Sequence, residues 1–264
     1  LDACSAPGNK TVHLAALMRG KGRVIACELH KERIERLGET IRLSGAANIE
    51  VLHGDFLKLD PKDPSFAKVS AILLDPSCSG SGTAGQRLDH LLPSHDKSFA
   101  DTERLNKLAA FQKKALAHAL SFPAVEKLVY STCSVNQVEN EDVVASVLPL
   151  AKSFGFQLVA PFPQWQRRGF PVLEDSKCLL RMDPVEDKEG FFIALFVKKN
   201  TVDKPIDEDD TTKVPPSCEN MCCSGKRIIP LIPFPFTKLS RALVYPTIPR
   251  KRCRLQRCQT LQSL

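Results

Sequence analysis

The chain has 264 residues, 43% of them hydrophobic by a broad count, which is enough for one sizeable core and argues against global disorder. Its formal net charge is +7, but the last 64 residues hold 11 Lys/Arg against 6 Asp/Glu, so the rest is nearly balanced and permits a nucleic-acid partner without requiring one. No stretch approaches the roughly 20 apolar residues of a membrane span and no signal segment opens the chain, so a soluble intracellular enzyme with no membrane partner is expected.

The chain opens on Leu1 and enters a Gly-containing loop almost at once, as expected for part of a longer protein whose first strand is largely missing. Residues 22 to 27 read as a buried strand, and a helix from about His30 to Leu43 follows, with Ile34, Leu37 and Ile41 at helical spacing. Strands are predicted at Ile49 to Leu52, Val69 to Leu74 and Leu128 to Ser131, with a helix from about Thr102 to Ser121. A further helix is predicted from about Val135 to Leu148, opened by the capping-box spacing Ser134-x-x-Gln137. Strands alternating with helices imply an α/β fold, a doubly wound, mostly parallel sheet of Rossmann type. Gln157 to Ala160 and Phe191 to Val197 have no convincing helix between them and read as a terminal antiparallel pair. From residue 201 the composition changes: an acidic run Asp207 to Asp210, eight of the 19 prolines and a basic end at Arg250-Lys251-Arg252 predict a disordered tail after a catalytic domain over residues 1 to 200. Five cysteines lie widely spaced in that domain and five in the tail, without paired C-x-x-C spacing, so free thiols and no metal are expected.

The candidate chemistry begins at Asp2-Ala3-Cys4-Ser5-Ala6-Pro7-Gly8-Asn9-Lys10-Thr11, a strand end that turns into a helix. Small residues let a ligand approach the backbone, and the helix N-terminus favours a negative group, although a tight βα turn alone would look similar. Acids recur at the later strand ends, with Glu28, Asp55 and Asp75 in register on one crevice; a carboxylate in the place of Glu28 can accept both hydroxyls of a ribose. An adenosine-containing cofactor is therefore expected. Cys78 follows Asp75 at one strand end and Cys133 follows the next strand, bringing two thiols to the same edge. Carbon 5 of cytosine is a poor nucleophile until a thiolate adds at carbon 6, so paired thiols beside an acid have a chemical rationale; which thiol attacks is open on these residues alone.

These segments closely resemble the RsmB-like, Sun-domain family of RNA (cytosine-5) methyltransferases, above all the subfamily that acts on large-subunit ribosomal RNA. The resemblance covers about residues 1 to 198 and is carried by Ala6-Pro7-Gly8-x-Lys10-Thr11, by Asp75 to Cys78, and by Ser131-Thr132-Cys133-Ser134. It implies that Cys133 attacks the base and that Cys78 promotes product release, with Asp75 and Lys10 at the target ring. It also implies that Cys4, Ser5, Ala6, Pro7, Gly8, Asn9 and Lys10, with Glu28, Arg33, Asp55 and Asp75, bind S-adenosyl-L-methionine. An RNA substrate, a monomer and a nuclear or nucleolar location are implied as well. Two departures stand out: Gly8-Asn9-Lys10 where the family commonly has Gly-Gly-Lys, and Asp75-Pro76-Ser77-Cys78 where Asp-Ala-Pro-Cys is commoner. Lys113-Lys114 and Arg167-Arg168 are candidate phosphate contacts and Trp165 a candidate stacking residue, while His13 and His53 are assigned to packing or capping. The alternatives are an adenine amino-methyltransferase and a catalytically silent RNA-binding ribosome-assembly factor.

Overall fold

The computed structural model describes residues 1–86 and 98–199; the tail expected from residue 201, with its cysteines, lies outside them. The strands are β1 (Val24–Glu28), β2 (Ile49–His53), β3 (Ala71–Leu74), β4 (Lys127–Thr132), β5 (Phe156–Val159), β6 (Leu180–Met182) and β7 (Phe191–Lys198). The helices are α1 (Asn9–Leu17), α2 (Lys31–Ser44), α3 (Ser98–Leu120) and α4 (Glu141–Ser153).

Leu1 to Ala3 complete the sheet. Asp2 bridges Ala26 of β1 on one side and Leu73 of β3 on the other, both in parallel. The Asp2 N–H donates to Ile25 O at 2.8 Å, and that of Ala3 to Leu73 O at 2.9 Å. The order is thus β2, β1, residues 1–3, β3, β4, β7, β5, parallel as far as β4; β7 runs antiparallel to β4, β5 and β6. The expected Rossmann-type sheet and its terminal antiparallel pair are both present, with Leu1 to Ala3 between β1 and β3.

Period-two alternation assigns the two faces. Ile72, Leu74, Leu128, Tyr130, Phe192, Ala194 and Phe196 point into one core with Leu116 and Leu120 of α3 and Val143, Val144 and Val147 of α4. Leu73, Val129, Ile193 and Leu195 form the other with Leu14 and Ala15 of α1. Because helices cover both faces, β1 and β7 are buried along almost their whole length and read as unbroken apolar runs.

Two expectations need correction. Ser134 does not open a capping box, and no helix starts at Val135: a 3-10 turn spans Gln137–Glu139, Asn140 breaks the path at φ −113°, ψ −96°, and α4 begins only at Glu141. The Ser134 oxygen instead accepts from the Asn136 N–H at 3.0 Å, two residues on, while its hydroxyl donates to Glu139 Oε2 at 2.5 Å. The segment before β7 also has more order than its composition suggests, with a 3-10 turn at Glu174–Cys178 and the short strand β6.

Candidate active site

The first half of the site is the turn between Asp2 and α1. Ser5 N–H donates to Cys27 O at 3.0 Å and Ser5 Oγ to Asp2 O at 2.9 Å, so the turn is tied to β1 and to its own start. The Ala6–Pro7 peptide is cis, and Gly8 has φ +106°. A Cβ on Gly8 would lie 2.9 Å from Leu37 Cδ1, so both backbone angle and space select glycine. Glu28, buried at the end of β1, accepts from Ala6 N–H at 3.3 Å and His30 N–H at 3.0 Å. Arg33 braces the same corner, donating to Ala6 O at 2.8 Å with its Nη1 3.5 Å from Glu28 Oε1. Asp55 follows β2 and accepts from Leu57 N–H at 3.0 Å.

The second half lies after β3 and β4. Asp75 is paired through Oδ2 with Lys10 Nζ and accepts at Oδ1 from Ser131 Oγ at 2.7 Å, so the turn, β3 and β4 meet at one carboxylate. Cys78 and Cys133 stand with their Sγ atoms 3.2 Å apart. The hydrogen bond with Cys133, followed by burial, raises the Cys78 thiol well above the ordinary range. Gly82 N–H donates to Cys133 O at 2.9 Å and Gly190 N–H to Gly82 O at 2.9 Å, which seats the Cys133 turn against the loop before β7.

Apart from Asp55, which caps its own turn after β2, the expected residues fall into two contiguous groups joined by Lys10. Cys4, Ser5, Ala6, Gly8, Glu28 and Arg33 build the turn, with Pro7 and Asn9 exposed at its rim, while Asp75, Cys78 and Cys133 build the reactive edge. Asp2 was missed. It is 1% exposed, accepts from Thr11 Oγ1 at 2.7 Å through Oδ2, and has no hydrogen-bond partner for Oδ1 among the described residues. Burial pushes its carboxyl up to about 6, against the Thr11 hydrogen bond. It was legible as another acid at a strand end. Glu139 was missed too, because the capping-box reading drew attention to Gln137.

Other assignments are settled by contacts. Arg167 pairs with Glu186 and lies 3.5 Å from Asp187 Oδ2, and Arg168 donates to the carbonyls of Pro161, Phe162 and Pro163, so both guanidinium groups have partners within the chain. Trp165 packs in the core and donates to Arg181 O at 2.8 Å, which makes it a packing residue. His53 Nε2 lies 3.1 Å from Leu29 O, in keeping with a capping role. The five described cysteines are free thiols, and the described residues hold no group of three or more metal-ligating side chains.

The model of the 16S rRNA methyltransferase RsmB/F family matches residues 1–197. The chain belongs to that family. This RsmB/F chain is 73% identical over 208 residues to the Arabidopsis thaliana 25S rRNA (cytosine-C(5))-methyltransferase NSUN5, covering 78% of the chain and 37% of that protein. It is 40% identical over 211 residues to the Mus musculus 28S rRNA (cytosine-C(5))-methyltransferase, covering 80% and 44%. The RsmB/F chain thus spans less than half the length of these relatives. Among solved structures, NSun6 from Pyrococcus horikoshii with SFG superposes with a TM-score of 0.58 at 26% identity, over 75% of this chain and 47% of that one.

Proposed function

We propose that this chain is the catalytic domain, over about residues 1 to 200, of an enzyme that methylates carbon 5 of cytosine in large-subunit ribosomal RNA, acting as a monomer in the nucleus or nucleolus. The names of its relatives support the substrate class. The observation that carries the chemistry is the pair of thiols 3.2 Å apart beside Asp75, which is itself held by Ser131 and Lys10.

The residues present fit S-adenosylmethionine. Gly8 offers no side chain to cap α1, leaving the N–H groups of its first turn for a carboxylate. Glu28 spends one hydrogen bond per oxygen on the turn and has lone pairs left for ribose hydroxyls. Cys4 to Lys10, with Glu28, Arg33, Asp55 and Asp75, would hold the cofactor, which supplies an electrophilic methyl group when bound.

The chain's own residues account for the remaining steps. The Cys133 thiolate adds to carbon 6 of the base, forming a C–S bond and moving the ring electrons towards N3 and carbon 5. Asp75, held by Ser131 and Lys10, is assigned to hydrogen-bond N3 and so to stabilise the charge that develops there. Carbon 5 takes the methyl group, and its proton then passes to solvent in a step that Cys78 assists. The C–S bond breaks and its electron pair returns to Cys133. An adenine amino-methyltransferase would need neither thiol.

The test uses the full-length protein. In Cys78→Ala, slowed release should accumulate a denaturation-resistant protein–RNA adduct on a denaturing gel, and adding Cys133→Ala should abolish it. Absence of the adduct in the single variant would overturn these assignments.

A further inference from the structure

One buried carboxylate ties together the two loops that carry the thiols. Glu139 is fully buried in the 3-10 turn between β4 and α4. Its Oε1 accepts from the Ser79 backbone N–H at 2.8 Å and from Gln112 Nε2 at 3.1 Å. Its Oε2 accepts from the hydroxyls of Ser79 at 2.6 Å and Ser134 at 2.5 Å, and from Asn136 Nδ2 at 3.4 Å. Ser79 follows Cys78 in the chain and Ser134 follows Cys133, so a single side chain bonds the immediate neighbour of each thiol.

The chemistry of the cluster requires a charge at this position. All five groups around the carboxylate act as donors, and a carboxylate accepts from several donors at once with short, charge-assisted bonds. Burial pushes the Glu139 carboxyl up, but the hydrogen bonds from Ser134, Ser79 and Gln112 outweigh it and hold it below its ordinary value. A glutamine there would turn an N–H group towards other donors. Neighbouring contacts fix the same turn from below: Thr132 Oγ1 donates to Asn140 Oδ1 at 2.6 Å, and Asn140 Nδ2 donates to Ser134 O at 2.9 Å. Those contacts hold the Cys133 side alone, whereas Glu139 spans both.

We propose that Glu139 is a positioning residue that sets the separation of Cys78 and Cys133, and through it the rate at which the methylated base leaves Cys133. The second half of this proposal rests on the thiol roles argued above. Release needs a group beside Cys133 to assist loss of the proton on the ring carbon next to the one Cys133 holds, so a displacement of about 1 Å in one loop costs on the order of 100-fold in rate.

The experiment compares full-length wild type with Glu139→Gln in two assays. In the first, without RNA, diamide oxidises the two thiols to a disulfide, itself reduced to the hydrazine, and the Cys78–Cys133 peptide is quantified by mass spectrometry. The variant should cross-link about tenfold more slowly or worse. In the second, kcat for methyl transfer should fall by about 10- to 100-fold with KM for RNA and cofactor within about twofold of wild type, and adduct should accumulate as in Cys78→Ala. A merely structural role would lower the folded fraction and leave the surviving molecules with wild-type cross-linking and no trapped adduct. Wild-type values in either assay would overturn the proposal. Should Glu139→Gln fail to fold, Ser79→Ala removes one donor to Glu139 together with the Oγ contacts to Ser81, Ser134 and Asn136, and must slow both processes about threefold; wild-type rates there overturn it equally. Absence of adduct in Cys78→Ala refutes the thiol roles instead, and the diamide reaction, which needs no substrate, then decides the positioning claim alone.

Discussion

Replacing Arg181 with methionine should be among the most damaging single changes in the chain, although Arg181 touches neither thiol. Arg181 is 5% exposed and clamps the fully buried Glu141 with two hydrogen bonds of 2.6 Å, Nε to Oε1 and Nη2 to Oε2. It also donates through Nη1 to Val135 O at 3.0 Å and lies 3.8 Å over the Phe170 ring. Removing one partner of such a pair strands the other charge away from water, at a cost of about 3–5 kcal/mol. One donor does remain for Glu141, the Phe170 N–H at 2.9 Å, which places the expectation near 3 kcal/mol, roughly the low end of that range. Urea unfolding of the chain, followed by circular dichroism, should show a lower midpoint with an unchanged slope. The double variant Arg181→Met, Glu141→Leu should recover at least about half of the loss, since no buried charge is then left unpaired. A loss below about 1 kcal/mol in the single variant, or a double variant no better than the single, would refute the reasoning.

Gly82→Ala should be severely destabilising for a steric reason: its Cβ would stand 2.1 Å from Gly190 O and 2.6 Å from Gly190 C, both backbone atoms. A loss of about 3 kcal/mol is expected, seen as a drop of roughly 10 °C in Tm, and a shift of less than about 2 °C would contradict the packing described. Asp2 gives a pH signature. Its carboxyl is raised from 3.8 to about 6 in the folded chain, so the native state binds the proton more tightly; its own contribution to stability is full below about pH 4 and is lost, by about 3 kcal/mol, as pH rises through about 6. Asp2→Asn keeps an acceptor for Thr11 and should flatten that slope in pH-dependent urea midpoints, whereas an unchanged slope would assign it to other groups. Glu28→Ala removes the acceptor for Ala6 and His30, and calorimetric titration of the full-length protein should show cofactor affinity reduced by about tenfold or more; unchanged affinity would remove Glu28 from the cofactor site.

Much of the fold was legible because the strands announce themselves. A sheet covered on both faces turns Val24 to Cys27 and Phe191 to Val197 into continuous apolar runs, and α2 keeps Ile34, Leu37 and Ile41 on one stripe. The reactive edge was legible as well, since Asp75, Cys78 and Cys133 stand just past strand ends and adjacent parallel strands must bring such positions together. What escaped was decided by partners distant in sequence. Ser134 in front of Gln137 has the spacing of a capping box, yet its oxygen accepts from Asn136 N–H and its hydroxyl donates to Glu139, whose orientation depends on Ser79 and Gln112 from two other elements. Arg167 and Arg168 look like a basic pair in sequence and become ion-pair and carbonyl-binding groups only once the Pro161 to Pro163 turn and the acidic 183–187 loop fold back on them. The short β6 has three residues, too few for periodicity to register, and exists because β7 offers it an edge.

The central claim is that Cys133 bonds to the base, and trapping that bond tests it most directly. Full-length protein incubated with cofactor and RNA carrying 5-fluorocytosine cannot complete turnover, because fluorine at carbon 5 does not leave as a proton. Peptide mapping of the trapped complex should find the modified nucleotide on Cys133 in wild type and nowhere in Cys133→Ala; a nucleotide attached to Cys78, or none attached at all, would contradict the account.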